Sequence, residues 1–91
     1  MKIAFDPVKR AIALQDRGVD FLDAALVFDD PSITAEDTRF DYPEQRFLTF
    51  GFIDGRLMAV VWTPIEDGVR VISMRKCNER EQKVFADRMG R

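Results

Sequence analysis

Between Gln45 and Lys76 the chain reads as three apolar runs divided by two short turns, and this stretch restricts the fold more than any other. Gln45–Ile53 is rich in Phe, Asp54-Gly55 suits the positive φ angles of a two-residue hairpin, and Arg56–Thr63 is a second long run. Pro64–Gly68 reads as the next turn and Val69–Lys76 as a third strand. Strands joined so closely can only run antiparallel. Ser32–Ala35 adds a short strand upstream, separated from Gln45 by an acidic loop, Glu36–Glu44, and Lys2–Phe5 reads as a short edge strand.

The N-terminal segment has the other periodicity. Asp6-Pro7 opens a helix, because the Asp side chain can take a free amide and Pro loses nothing at the first helical position. Val8, Ala11 and Ile12 share one face, and Gly18 can supply a left-handed cap. Asp20 opens a second helix with Asp23 in its first turn, Phe21, Ala24, Ala25 and Phe28 form an apolar stripe, and Asp29-Asp30-Pro31 ends it. The hinge at Gly18-Val19 predicts an αα-hairpin. Asn78-Glu79-Arg80-Glu81 has the capping-box pattern and opens a last helix to about Met89. The expectation is an α+β fold in one domain, residues 1–91. An N-terminal αα-hairpin packs on a mainly antiparallel sheet of about four strands, with a C-terminal helix.

The missing residue types narrow the chemistry. The chain has no His, and Cys77 is its only cysteine. That removes Ser–His and Cys–His nucleophile pairs and zinc-type ligand sets, so no metal or cofactor is expected and Cys77 reads as structural. A small chain without disulfides, signal peptide or long apolar run is expected to be soluble and cytoplasmic, with no membrane contact. Its net charge of −2 hides an asymmetry: residues 1–67 carry 7 Lys/Arg against 13 Asp/Glu, whereas residues 68–91 carry 7 against 3. A general nucleic-acid coat protein would be basic throughout, but a local basic cluster can hold a few phosphates.

Arg70, Arg75 and Lys76 interrupt the third strand, and basic side chains there need solvent, a carboxylate or a ligand. Strict alternation puts Arg75 with Val69, Val71 and Ser73, and Arg70 with Ile72, Met74 and Lys76, so Arg70 and Arg75 meet only if a bulge intervenes. Arg70 could equally pair with a helix carboxylate. Arg75 stands beside the helix start at Asn78, where free amides and a guanidinium suit a phosphate. Arg46 enters a strand and could share the exposed sheet face with Arg75, while Arg56 follows a turn and reads as merely exposed. Phe47, Phe50, Phe52 and Trp62 read as core rather than as base-stacking platforms. Asp29-Asp30 reads as a solvated turn, not a metal site.

Nearly the whole chain resembles the BrnT toxin family of the RelE-like ribonuclease fold. The matching segments are Phe5-Asp6-Pro7 with Lys9, Gly18-Val19-Asp20-Phe21 with Ala24, and Val27-Phe28-Asp29-Asp30-Pro31. Glu44-Gln45-Arg46, Phe50-Gly51, Gly55-Arg56-Leu57 and Val60-Val61-Trp62-Thr63 continue the series, which closes with Val69 to Cys77 and with Glu79, Arg80 and Glu81. The resemblance implies an RNA-cleaving toxin that inhibits translation. It also implies a BrnA-like ribbon-helix-helix antitoxin that carries any contact with DNA. For the site it suggests catalytic Arg75, with Arg46 and Arg70 next, and Lys76, Arg17, Lys9 and Thr63 as RNA-binding residues. The base is left open among Glu79, Glu81 and water. The family pattern has a His where Arg17 stands and a Tyr where Phe85 stands, so the alternative is a catalytically weak module acting as antitoxin partner and corepressor.

Overall fold

Positive φ at both Asp54 (49°) and Gly55 (78°) folds the central hairpin, as the dipeptide predicts. The computed structural model describes residues 1–29 and 31–89. In chain order these form β1 (Lys2–Phe5), α1 (Pro7–Arg17), a 3₁₀ turn (Phe21–Asp23), α2 (Ala24–Asp29), β2 (Ile33–Glu36), β3 (Phe47–Ile53), β4 (Arg56–Ile65), β5 (Gly68–Lys76) and α3 (Glu79–Arg88). The expected turn at Pro64–Gly68 is shorter than predicted. β4 runs through Pro64, paired with Val69, and reverses only after Ile65, with Asp67 at φ 66°.

The α+β class holds, but the sheet has five strands in the order β1-β5-β4-β3-β2 and is mixed. β2 through β5 pair antiparallel, whereas β1 joins the free edge of β5 in parallel. That pairing depends on Gly68, because a Cβ there would collide with the backbone of Lys2.

The expected αα-hairpin is also corrected. α1 starts and stops as the sequence suggests, with Asp6 accepting from the Val8 amide at 2.9 Å and Gly18 closing the helix at φ 65°. Asp20 then takes two hydrogen bonds from Arg10 (2.8 and 2.9 Å) and one from the Leu22 amide (3.0 Å). This clamp makes a 3₁₀ turn, leaving a second α-helix of only 6 residues. α1 leans on β5, and α2 leans on β3 and β4, so the sheet is their main partner. α1 buries Ala13 and leaves Val8 and Ile12, expected on its inner face, 66% and 54% exposed.

The helices cover one face of the sheet. Phe21, Ala24 and Val27 meet Val60, Val71 and Met74 there, and Val27 approaches so closely that a Cβ on Gly51 would lie 2.7 Å from its carbonyl oxygen. The polar groups inside are satisfied. Trp62 Nε1 donates to Thr49 Oγ1 at 2.8 Å, and the Thr49 and Thr34 hydroxyls are 2.7 Å apart. On the opposite face α3 covers Leu57, Ala59 and Cys77 with Phe85, whose ring meets Phe52 edge-on at 5.4 Å.

Candidate functional site

β5 does not alternate strictly. Val61 of β4 pairs with Ser73, but the next residue, Trp62, pairs with Val71, so one extra residue, Ile72, bulges out of the ladder. The face assignment flips there. Val69, Val71 and Met74 all point into the helix-covered core, and Cys77 joins the α3 side. Arg70 and Arg75 therefore share the α3 face, roughly 15 Å apart at the usual strand rise. Arg70 pairs in register with Thr63, whose hydroxyl reaches the Gln45 carbonyl, and Arg46 stands one residue before the Phe47–Trp62 pair. Arg46, just before β3, thus makes a row with Thr63 of β4 and Arg70 of β5 at one end of the sheet, with Arg75 further along Arg70's face.

Arg70 and Arg75 have changed places relative to expectation. The Arg70 side chain is exposed and makes no hydrogen bond or ion pair among the described residues, so none of their carboxylates holds it. Arg75 is paired. Its two terminal nitrogens donate to the Glu81 carboxylate at 2.8 and 2.7 Å. Glu81 also accepts from the Asn78 amide at 3.0 Å, while Asn78 Oδ1 accepts from the Glu81 amide at 2.8 Å, completing the predicted capping box. The anion position expected beside Asn78 is therefore filled by the chain's own carboxylate. Arg75 and the amide hold the Glu81 carboxyl down at about 2, so it is a poor proton acceptor near neutrality. The Arg75 side chain remains 43% exposed, and the pair uses only two of its five N–H groups.

The loop from Asp37 to Arg46 adds a cluster that sequence reasoning passed over as an acidic loop. The Asp37 side chain is 1% exposed and accepts from Arg39 Nε and Nη2, both at 2.8 Å, and from the Tyr42 hydroxyl at 3.3 Å. Arg39 is the main cause that holds the Asp37 carboxyl at about 2. Arg46 pairs with Glu44 at 2.7 Å and stacks its guanidinium 4.1 Å from the Tyr42 ring centre. Arg39 in turn bears weakly on Arg75 as a like charge. The available signal was the alternation of Arg and aromatic residues in Arg39-Phe40-Asp41-Tyr42 followed by Arg46.

The remaining candidates lie elsewhere. Lys76 pairs with Met58 of the helix-side core and so lies on the other face, and Lys9 and Arg17 belong to α1, in the helix layer over that face. The Thr63 hydroxyl donates to the Gln45 carbonyl at 2.7 Å. Arg56, expected to be merely exposed, donates to the Cys77 carbonyl at 2.7 Å. Burial pushes the Cys77 thiol up to about 11, which suits an inert core residue. Among the described residues no three His, Cys, Asp or Glu side chains group as metal ligands; Asp30 of the Asp29-Asp30 pair lies outside them. None of the described helices is long and apolar enough to cross a membrane.

The family model for the ribonuclease toxin BrnT of type II toxin–antitoxin systems matches residues 5–81. No curated protein matches the chain.

Proposed function

Because the chain belongs to the BrnT family of ribonuclease toxins of type II toxin–antitoxin systems, we propose that it cleaves RNA on the face carrying Arg46, Arg70 and Arg75. The observation behind this reading is the bulge at Ile72, which sets Arg70 and Arg75 on one side of the sheet. A ribose 2′-oxygen attacks the adjacent phosphorus and the P–O5′ bond breaks. The products are a 2′,3′-cyclic phosphate and a 5′-hydroxyl. Arg75 stabilises the negative charge that builds on the phosphate; one such donor is worth about 3–4 kcal/mol. It stays protonated throughout and so is no base. The 2′-hydroxyl proton goes to Glu79 or to water rather than to Glu81, whose carboxyl is held at about 2, and the departing 5′-oxygen takes a proton from water. Guanidinium groups supply the charge, so the reaction needs no metal ion. Lys9, Arg17 and Lys76 lie outside this face, and their part is long-range attraction of the RNA backbone.

Type II membership implies an antitoxin partner. We take it to be a BrnA-like ribbon-helix-helix protein that carries the DNA contact, with the toxin inhibiting translation in the cytoplasm. The Glu81 carboxylate in Arg75's grip favours a second reading, a module whose cleavage is weak and whose main partner is the antitoxin. Against it, Arg17 lies in the opposite helix layer and Phe85 is buried, so neither departure from the family pattern removes a guanidinium from the row.

Purified protein in EDTA should leave cyclic-phosphate ends on single-stranded RNA, and its expression alone should arrest growth. Arg75→Ala should relieve both. Full activity in that variant would overturn the site, and antitoxin binding with no cleavage at any concentration would establish the second reading instead.

A further inference from the structure

The loop between β2 and β3 presents a ring that the fold does not bury. Phe40 is 70% exposed, yet it has a firm support. Its ring meets Tyr42 edge-on at 5.8 Å, Tyr42 lies under the Arg46 guanidinium, and the Tyr42 hydroxyl is anchored on the buried Asp37 carboxylate. Arg39 also donates to both oxygens of that carboxylate. The loop encloses an open cavity of about 520 Å³, within the usual range for small-molecule sites.

We propose that Phe40 is a stacking platform for an unpaired base of the RNA, next to the phosphate held on the arginine face. The inference rests on the ribonuclease reading and gives it a base-binding subsite. Arg46 belongs both to the row with Thr63 and Arg70 and to the support under Phe40, so the subsite is continuous with the proposed cleavage face. A flat ring beside guanidinium groups is the arrangement that receives splayed bases of single strands.

The charge of the loop says how it contributes. Between Glu36 and Arg46 four carboxylates (Glu36, Asp37, Asp41 and Glu44) face two guanidiniums (Arg39 and Arg46). Such a loop does not track phosphates, so its share of the affinity comes from the π-face and is insensitive to salt. Arg70, exposed and unpaired among the described residues, contributes in the opposite way, through counterion release.

The test is fluorescence anisotropy with a labelled, mixed-sequence oligoribonucleotide carrying 2′-O-methyl groups throughout, which removes the attacking hydroxyl. Phe40→Ala and Phe40→Leu should each weaken binding about tenfold at low and high salt alike, while Phe40→Trp binds as well as the parent. Arg70→Ala should weaken binding mainly at low salt and flatten the salt slope by about one. Leu binding as tightly as Phe would overturn the stacking platform. So would a Phe40→Ala loss that vanishes in high salt, or one seen with the antitoxin but not with RNA. If Arg70→Ala still weakens binding in those cases, only the subsite fails. A parent protein that neither binds this probe nor cleaves unmodified RNA sinks the ribonuclease reading with it. Unchanged thermal midpoints confirm that the Phe40 variants fold.

Discussion

One face of the sheet lies under α1, the 3₁₀ turn and α2; the other is covered only at one end, by α3. The first buries Phe21, Ala24 and Val27 to 2% exposure or less and spends its few polar groups on one another, through Trp62, Thr49 and Thr34. The second carries Arg46, Arg70 and Arg75, with the Arg70 side chain unpaired among the described residues. β5 serves both faces, and it can do so because one extra residue, Ile72, turns Met74 into the core and Arg75 to the α3 side. The larger core thus lies on one side of these strands, and the face proposed for RNA lies on the other, beside a smaller core under α3.

The separation can be broken by substitutions that ought to hit one side only. The largest effect should come from Phe21→Ala, which removes a ring at 2% exposure and costs about 3–5 kcal/mol of folding stability in chemical denaturation. Cleavage per folded molecule should not change. Arg75→Ala is the counterpart. RNA cleavage should fall about 10²–10³-fold, whereas stability drops by no more than about 1 kcal/mol, because a half-exposed ion pair contributes little. Thr49→Val should cost about 1–3 kcal/mol, since it leaves the Trp62 indole N–H without its buried acceptor. Loss of activity beyond the loss of folded protein would mean that the two faces are coupled.

The smallest effect is expected from acid. Asp37 and Glu81 both titrate at about 2, below their ordinary values of 3.8 and 4.5. A carboxyl with a depressed native pKa adds stability that is complete above its unfolded value and is lost as pH falls toward the native one. Thermal midpoints should therefore decline between about pH 4.5 and pH 2, and Glu81→Gln should shallow that decline. An unchanged slope in Glu81→Gln would remove the Arg75–Glu81 pair from the account.

Most helix ends and the central turn were legible in the sequence. Asp6, Gly18, Asn78 and the Asp54-Gly55 turn act through local backbone chemistry, and each does in the structure what its type suggests. What was missed depends on partners far along the chain. No local signal says that Lys2–Phe5 joins β5 in parallel, although Gly68 permits it. Asp20 reads as a simple helix cap until Arg10 comes round to hold it, and the tightened turn replaces the expected hairpin. The apolar spacing of Val8 and Ile12 suggested burial, but α1 sits high enough on β5 that only Ala13 is enclosed. At the candidate site, alternation separated Arg70 from Arg75, and a bulge cannot be placed from strand propensity alone. Glu81 was legible as a capping residue but not as the partner of Arg75, because one carboxylate serves both.

The most direct test compares cleavage rates of six alanine variants on one RNA at one salt concentration, three from each side of the sheet. The account predicts that Arg46→Ala, Arg70→Ala and Arg75→Ala each lose at least about tenfold, while Lys9→Ala, Arg17→Ala and Lys76→Ala stay within about threefold of the parent. Equal losses across all six, or larger losses in the second three, would contradict it.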